Sequence, residues 1–411
     1  MSKFSVFAVA AMFAATTHLS AATPEAAMNA IAVPGADGYG YCDYAKAYAT
    51  PIFKKFEEFA KKLLDVMKDT PGGVDIKKYE AFEELCKREG FGSDNYQSGA
   101  FSMAIGNFIE KTVKAAMDGG EPNIDFNDLS LVFGYSFKKS VSKEGISKLA
   151  KEYAGLYAGD VKETIEELLK KVAVADFAHG GATGFALSFK LDADDLEDMP
   201  FDKTPVLALA LLADGKVMLF GLEKDVKAAV ERANAGTKAE PSAELKKLLD
   251  SSIGGTPFAR RDGYGANVIP KFFRDKMAEL EDDMKDFPIS GVVPAIKAAK
   301  VLQGLRFTSA YGDKLDFSIN FVLDNAESAA SLKDLIQINV LGMAKMGLYQ
   351  VTGKNTAFAE SLAAVVDANS TSINFSITAA DLDSFLDFIK KNFEAPAFAP
   401  FFMDEDDDDD D

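Results

Sequence analysis

The stretch "PVLALALLADGKVMLFGL" (205–222) narrows the possible folds more than any other feature of this chain. Two apolar runs of strand length flank Asp214 and Gly215. An Asp-Gly pair supplies the positive-φ turn of a tight hairpin, so the two runs must pair antiparallel. Alternating apolar and polar residues recur in "SGAFSMAIGNF", "DLSLVFGYSFK", "GATGFALSFKL", "LRFTSAYG", "KLDFSINFVL" and "STSINFSIT", the pattern of half-buried strands. Between them the period changes. Phe53, Phe56, Phe59, Ala60, Leu63, Val66 and Met67 recur at helical spacing, and "IKKYEAFEELCKREG", "SKEGISKLAKEYAGLY", "DVKETIEELLKKV", "EKDVKAAVERANAG" and "SAELKKLLDSS" read as helices. "TPGG", Gly90 and the glycine of "NAG" stop three of these helical patterns. The fold class is α+β, with antiparallel sheet packed against helices.

The text then restarts. "YCDYAKAYATPIFKKF" places Asp43 eight residues before Pro51, and "RRDGYGANVIPKFFRD" places Asp262 eight residues before Pro270. From there follow helices at 270–284 and 293–301, two strands, helices at "AESAASLKDLIQINVLGMAKM" and "TAFAESLAAVVDA", a strand, and a last helix, "AADLDSFLDFIKKNF". This order repeats that of the first half, which adds a hairpin. The expectation is an internal duplication: two related units, 23–250 and 251–400, each an antiparallel sheet with helices.

Paired alternating strands that lead into helix starts such as "LDNAES" and "LEKDVK" resemble, in layout, a class of uncharacterised exported bacterial α+β proteins. Tandem antiparallel-sheet and helix units make up nearly all of the mature chain in that class. The resemblance implies a fold and a compartment, and no reaction.

Both ends stand apart from these units. Residues 1–22 carry Lys3, an apolar run from Phe4 to Ala15, and small residues at Ser20 and Ala22, which read as a cleaved signal peptide. The run falls short of the roughly 20 residues a spanning helix needs, and no later segment supplies one. The expected location is therefore exported, periplasmic or extracellular. Residues 401–411 end in eight acids, Asp404 to Asp411, whose mutual repulsion predicts a disordered acidic tail. The whole chain carries 64 acidic and 45 basic residues, a net charge of −19, which disfavours nucleic acid as a partner.

Composition also thins the possible chemistry. Of two histidines, His18 lies in the signal, leaving His179 in "DFAHGGATGF", a glycine-flanked turn ahead of a strand. One histidine and two cysteines cannot close a tetrahedral zinc site. An even pair in an exported chain, Cys42 and Cys86, reads as one structural disulfide or as two buried thiols. The run "LDADDLEDMPFDK" offers Asp192, Asp194, Asp195 and Asp198 as a cation loop for calcium. It lacks the glycine and glutamate spacing of an EF-hand, so a solvated loop is the plainer reading. "HGGATG" and "RDGYGAN" lack phosphate-loop spacing and read as turns. Asp43 and Asp262 each precede a helical pattern and read as N-caps.

Thirty-three phenylalanines and no tryptophan give large apolar faces: core, or an apolar groove between sheet and helices. No cofactor is implied. The sequence points to a non-enzymatic binding or structural protein of the bacterial envelope, with a protein or hydrophobic small molecule as partner. The alternative is a carboxylate-dependent hydrolase acting outside the cytoplasm, whose catalytic pair the sequence does not single out.

Overall fold

A computed structural model of the chain describes residues 23–67, 76–117, 125–153, 169–190, 204–253, 256–257, 262–284, 292–352 and 356–392. The signal segment, the acidic tail and the loop with Asp192, Asp194, Asp195 and Asp198 lie outside the described residues.

The first half supplies strands β1 (Gly38–Cys42), β2 (Tyr96–Ala104), β3 (Ser130–Phe137), β4 (Val172–His179), β5 (Ala182–Phe189), β6 (Leu207–Leu212) and β7 (Val217–Leu222). The second supplies β8 (Ser252–Ile253), β9 (Thr256–Pro257), β10 (Gly263–Val268), β11 (Leu302–Tyr311), β12 (Leu315–Leu323), β13 (Ala363–Asp367) and β14 (Ser370–Ile377). β8 and β9 pair with each other, and the other twelve strands form one sheet in the order β13-β14-β12-β11-β10-β1-β2-β3-β7-β6-β5-β4. Every pairing in that sheet is antiparallel. The α+β expectation holds. The strands of both halves enter a single sheet, joined at β1 and β10.

The hairpin expected at Asp214 and Gly215 is the β6–β7 turn. Gly215 has φ 79°, and a Cβ there would lie 2.2 Å from the Val141 carbonyl oxygen, so only glycine fits. β6 is buried along its whole length because both faces of the sheet are covered there. On one face Ala208, Ala210 and Leu212 meet Val226, Ala229 and Val230 of the Glu223–Ala235 helix. On the other, Leu209 and Leu211 meet Ile146 of the Lys143–Tyr153 helix. Gly236 ends the Glu223–Ala235 helix in the left-handed region, φ 63°, as the sequence suggested.

The first of these faces, the packed face, stays covered towards the seam, where Ala100, Val132 and Ala266 join Ile31, Val33, Leu245 and Leu248. The second is covered at its two ends and, beside the seam at Cys42, by Tyr44 and Phe53. The Lys143–Tyr153 helix shields the β3–β6 side, and Ile336 and Leu341 pack with Ala364, Phe321 and Ile373 on the far side. Ile336–Leu341 is a π-helical turn inside a long helical run that begins at Ala326 and ends at Thr352. That run leaves Ile338, Met343, Met346 and Tyr349 between 54% and 72% exposed.

Three sequence expectations are corrected. "RDGYGAN" is strand β10 rather than a turn, because glycines at every second position satisfy the pleat without offering an apolar face. "TAFAESLAAVVDA" is helical only over Ala357–Ser361 and continues as β13, where Val365 and Val366 favour a strand. β4 takes "DFAH", expected as part of a turn, into the sheet, and the turn is confined to Gly180 and Gly181, whose φ of 56° and 82° suit glycine. Of the two readings left open for the cysteines, the structure has Cys42 and Cys86 as free thiols. Cys42 closes β1 with its Sγ 3.1 Å from the Tyr311 hydroxyl, while Cys86 sits on the Ile76–Arg88 helix.

Candidate functional site

Residues directly opposite in an antiparallel pair share a face, so the register can be read as rows running across the sheet. On the second face the middle row is Phe220, Phe133, Phe101, Gly40, Gly265, Phe307, Ile319 and Ile373, taken from β7 to β14. The row on one side is Leu131, Met103, Gly38, Asn267, Leu305 and Phe321. On the other side it is Tyr135, Gly99, Cys42, Gly263, Ser309 and Phe317.

In all three rows the two central strands carry small side chains. The strands on either side carry mostly large ones. The result is a trough centred on Gly265, bounded by Asn267, Phe101, Phe307 and the Ser309–Tyr311 pair. Its cavity measures about 380 Å³, within the range of small-ligand sites.

Walls and floor follow from the side chains. The Phe101 ring leans over Gly40, where a Cβ would come within 2.3 Å of it, and stacks at a tilt on Phe133, centroids 6.2 Å apart. Tyr44, from the Tyr44–Ala49 helix, covers Gly99 in the same way and lies parallel to Tyr135 at 6.4 Å. Tyr311 closes the far wall, edge-on to Phe53 at 5.3 Å. Gly265 differs from the other floor glycines: the nearest atoms to a Cβ there are backbone, Tyr39 O at 3.3 Å and Gly40 Cα at 3.5 Å. No side chain comes within 4 Å, so the trough opens above it.

The lining residues include no Asp, Glu, Lys, Arg or His. Burial pushes the hydroxyls of Tyr44, Tyr264 and Tyr311 far above their ordinary range, and pushes the Cys42 thiol up as well. Burial therefore favours the neutral form of these hydroxyls and of the thiol. The polar atoms at the Cys42 end satisfy one another: Ser309 Oγ donates to the Tyr311 hydroxyl at 2.9 Å, and Cys42 Sγ lies 3.1 Å from it. At the opposite end Asn267 Oδ1 is buried with no hydrogen-bond partner.

The aspartates singled out by sequence stand just beyond the Cys42 end. Asp43 is the N-cap expected: its Oδ1 accepts from Lys46 N at 2.9 Å. Asp262 is not a helix cap, because β10 and not a helix follows it. Its carboxylate accepts from Tyr311 N at 2.9 Å and from Lys46 Nζ at 2.5 Å, and its carbonyl accepts from Asp43 N at 2.8 Å. The first-half residue in the position of Asp262 is Asp37, which the sequence reading missed. It too precedes a central strand and binds backbone N–H groups where the neighbouring strand ends, Ile105 at 3.0 Å and Gly106 at 2.5 Å.

His179 lies at the end of β4, far along the sheet order, with Nε2 3.0 Å from Glu231 Oε1. Among the described residues no group of three or more metal-ligating side chains gathers, and no helix is long and apolar enough to cross a membrane.

Fold and site together define an α+β protein with one broad antiparallel sheet and an uncharged aromatic trough across its central strands. No protein-family model and no curated protein matches the chain. Two solved crystal forms of TP0453 are similar. Form III is 10% identical over 89% of this chain and 97% of that one, with a TM-score of 0.32. Form I is 10% identical over 88% and 96%, with a TM-score of 0.31. A likeness at that level assigns no function.

Proposed function

We propose that this chain is a non-enzymatic binding protein, exported from the cytoplasm, that carries a hydrophobic guest in the trough over β1 and β10. The observation that carries this reading is the open space above Gly265, walled by Phe101, Phe133, Phe307, Phe317 and Tyr311 with no charged residue in the lining. Apolar surface held open to solvent at the centre of a sheet is costly at roughly 25 cal/mol per Å². A guest that covers it recovers that free energy. The signal-like N-terminus supports export, and the uncharged lining weighs against the carboxylate-dependent hydrolase, which would need acids at the site.

The test is to purify the protein from the exported fraction, extract it with organic solvent and identify what is released by mass spectrometry. A hydrophobic compound released from the wild type and absent from Gly265→Leu supports the reading. Equal release from both proteins, or none from either together with no uptake of any apolar probe, overturns it.

A further inference from the structure

We infer that the chain carries a second site, on the packed face of the sheet, that binds an amphipathic monocarboxylate. The carboxylate meets Arg274 and Lys247, and a short apolar body lies against Leu248, Val268 and Val322. This does not rest on the trough or on its guest.

The Ala243–Asp250 and Lys271–Asp283 helices, β11 and the β13–β14 turn surround a cavity of about 600 Å³. Arg306 lies opposite Ala266, so it points to the packed face, one residue before Phe307 of the trough. It is buried, and it has its own partners: the Ser251 and Ser370 hydroxyls accept from Nη1 and Nη2, and the charge of Asp367 acts on it. Arg274 is different. It is half-buried, its Nε is sealed without an acceptor, and its Nη1 donates to Gln303 Oε1 at 3.0 Å. Its Nη2 is neither sealed nor hydrogen-bonded among the described residues. Neither Arg274 nor the exposed Lys247 forms an ion pair among the described residues. A half-buried guanidinium that presents an unmet donor to a cavity favours an anion there, since hydrogen bonds to charged groups are the strong ones.

The same lining sets the charge and shape of the ligand. Lys247, Arg274 and Arg306 stand against Glu244, Asp324 and Asp367, so the wall is electrically balanced. A single negative charge can be met by Arg274 and Lys247. A dianion, such as a phosphate monoester, would set its second charge against the carboxylates of the rim. A cation would leave Arg274 unmet. Between the charges the wall is apolar: Leu248 lies over Gly304, where a Cβ would come within 2.4 Å of it, and Val268 and Val322 flank it. A monocarboxylate with a short apolar body meets both demands.

The experiment titrates the full chain at pH 8 and low salt with hexanoate, hexanamide and hexyl phosphate, read by calorimetry. Hexanoate is expected to bind about tenfold or more tighter than hexanamide, which has the same body without the charge, and tighter than hexyl phosphate. Arg274→Gln should lower hexanoate affinity about tenfold and leave hexanamide unchanged. Lys247→Gln, at an exposed position, should lower it about threefold. Urea midpoints check that both variants are folded. Gly265→Leu, which fills the trough, should leave hexanoate binding as it was. Hexanamide or hexyl phosphate binding as tightly as hexanoate overturns the inference. So does a hexanoate affinity that neither substitution lowers, or no hexanoate binding to the folded wild type. Loss of hexanoate binding in Gly265→Leu alone would put the carboxylate in the trough and overturn the second site.

Discussion

Gly40 and Gly265 face each other across the β1–β10 pair, with Phe101 on the far side of one and Phe307 on the far side of the other. Only one of the two is open. Above Gly40 lies the Phe101 ring, whereas no side chain lies above Gly265. Gly265→Leu should therefore abolish guest binding at a stability cost of about 1–3 kcal/mol, since no side chain stands in its way but its Cβ lies 3.3 Å from the Tyr39 carbonyl oxygen. Gly184→Ala is the contrasting case: its Cβ would sit 1.7 Å from the Leu209 carbonyl oxygen, and backbone must move. Denaturant unfolding should show a loss of about 3 kcal/mol there.

Alkaline pH should unfold the protein early. Burial raises the Cys86 thiol from 9.0 to about 11 and lifts the hydroxyls of Tyr44, Tyr96, Tyr264 and Tyr311 well above their ordinary 10.0. These groups hold their protons longer in the folded chain than in the unfolded one, so stability falls as pH rises. The contribution is intact below pH 9, where thiols of the unfolded chain begin to ionise, and is lost progressively towards pH 11 and beyond. Urea midpoints measured from pH 8 to pH 11 should fall steadily. A flat profile would contradict the burial of these groups.

Thiol counting should find two free thiols per chain under denaturing conditions, without reductant. In the native protein both should react slowly at pH 7, because each is held protonated. Reductant should leave the melting temperature unchanged. A drop of several degrees would reveal a bridge.

Asp262 ties the seam to the end of β11. Asp262→Ala leaves Tyr311 N without its acceptor and should cost about 1–3 kcal/mol. Lys46→Ala removes only the half-exposed partner of Asp262 and should cost roughly 0.5 kcal/mol. Asp43→Ala removes an N-cap and should cost about 1 kcal/mol. If Lys46→Ala proved the costliest of the three, the backbone role given to Asp262 would be wrong.

The apolar side chains on the Ala326–Thr352 run separate surface from core. Ile338→Ser and Met343→Gln alter exposed positions and should leave stability within about 0.5 kcal/mol of wild type. Leu341→Ala, buried beside Leu362 and Ala364, should cost about 2–5 kcal/mol. Thermal melts of the three variants test the assignment.

Legibility in the sequence followed the range of the interaction. The β6–β7 hairpin, the Asp43 cap and the Gly236 stop are local, each decided within a few residues, and each was readable. β10 was not, because Gly263, Gly265 and Ala266 carry too little apolar surface to mark a strand. β13 was hidden by the alanines of "TAFAESLAAVV", which fit a helical period as well as an extended one. The large number of phenylalanines hinted at an apolar groove but could not place it. The trough exists only because Gly40 meets Gly265 and Cys42 meets Gly263, a register set by pairing between distant segments. The orphaned Asn267 oxygen is likewise a property of the assembled sheet.

Gly40 and Gly265 are also 225 positions apart along the chain, and their strands form the one seam joining the two ends of the twelve-stranded sheet. Contacts of such long separation form slowly, since the loop between them must be closed before they give any return. As the chain emerges N-terminus first, β1 waits with one edge unpaired until β10 has been made. Neither half possesses the trough during that interval. Completing the fold and forming the trough are thus a single late event. Any molecule that bound the trough at that moment would act as a folding ligand, drawing the last strand pairing to completion by mass action.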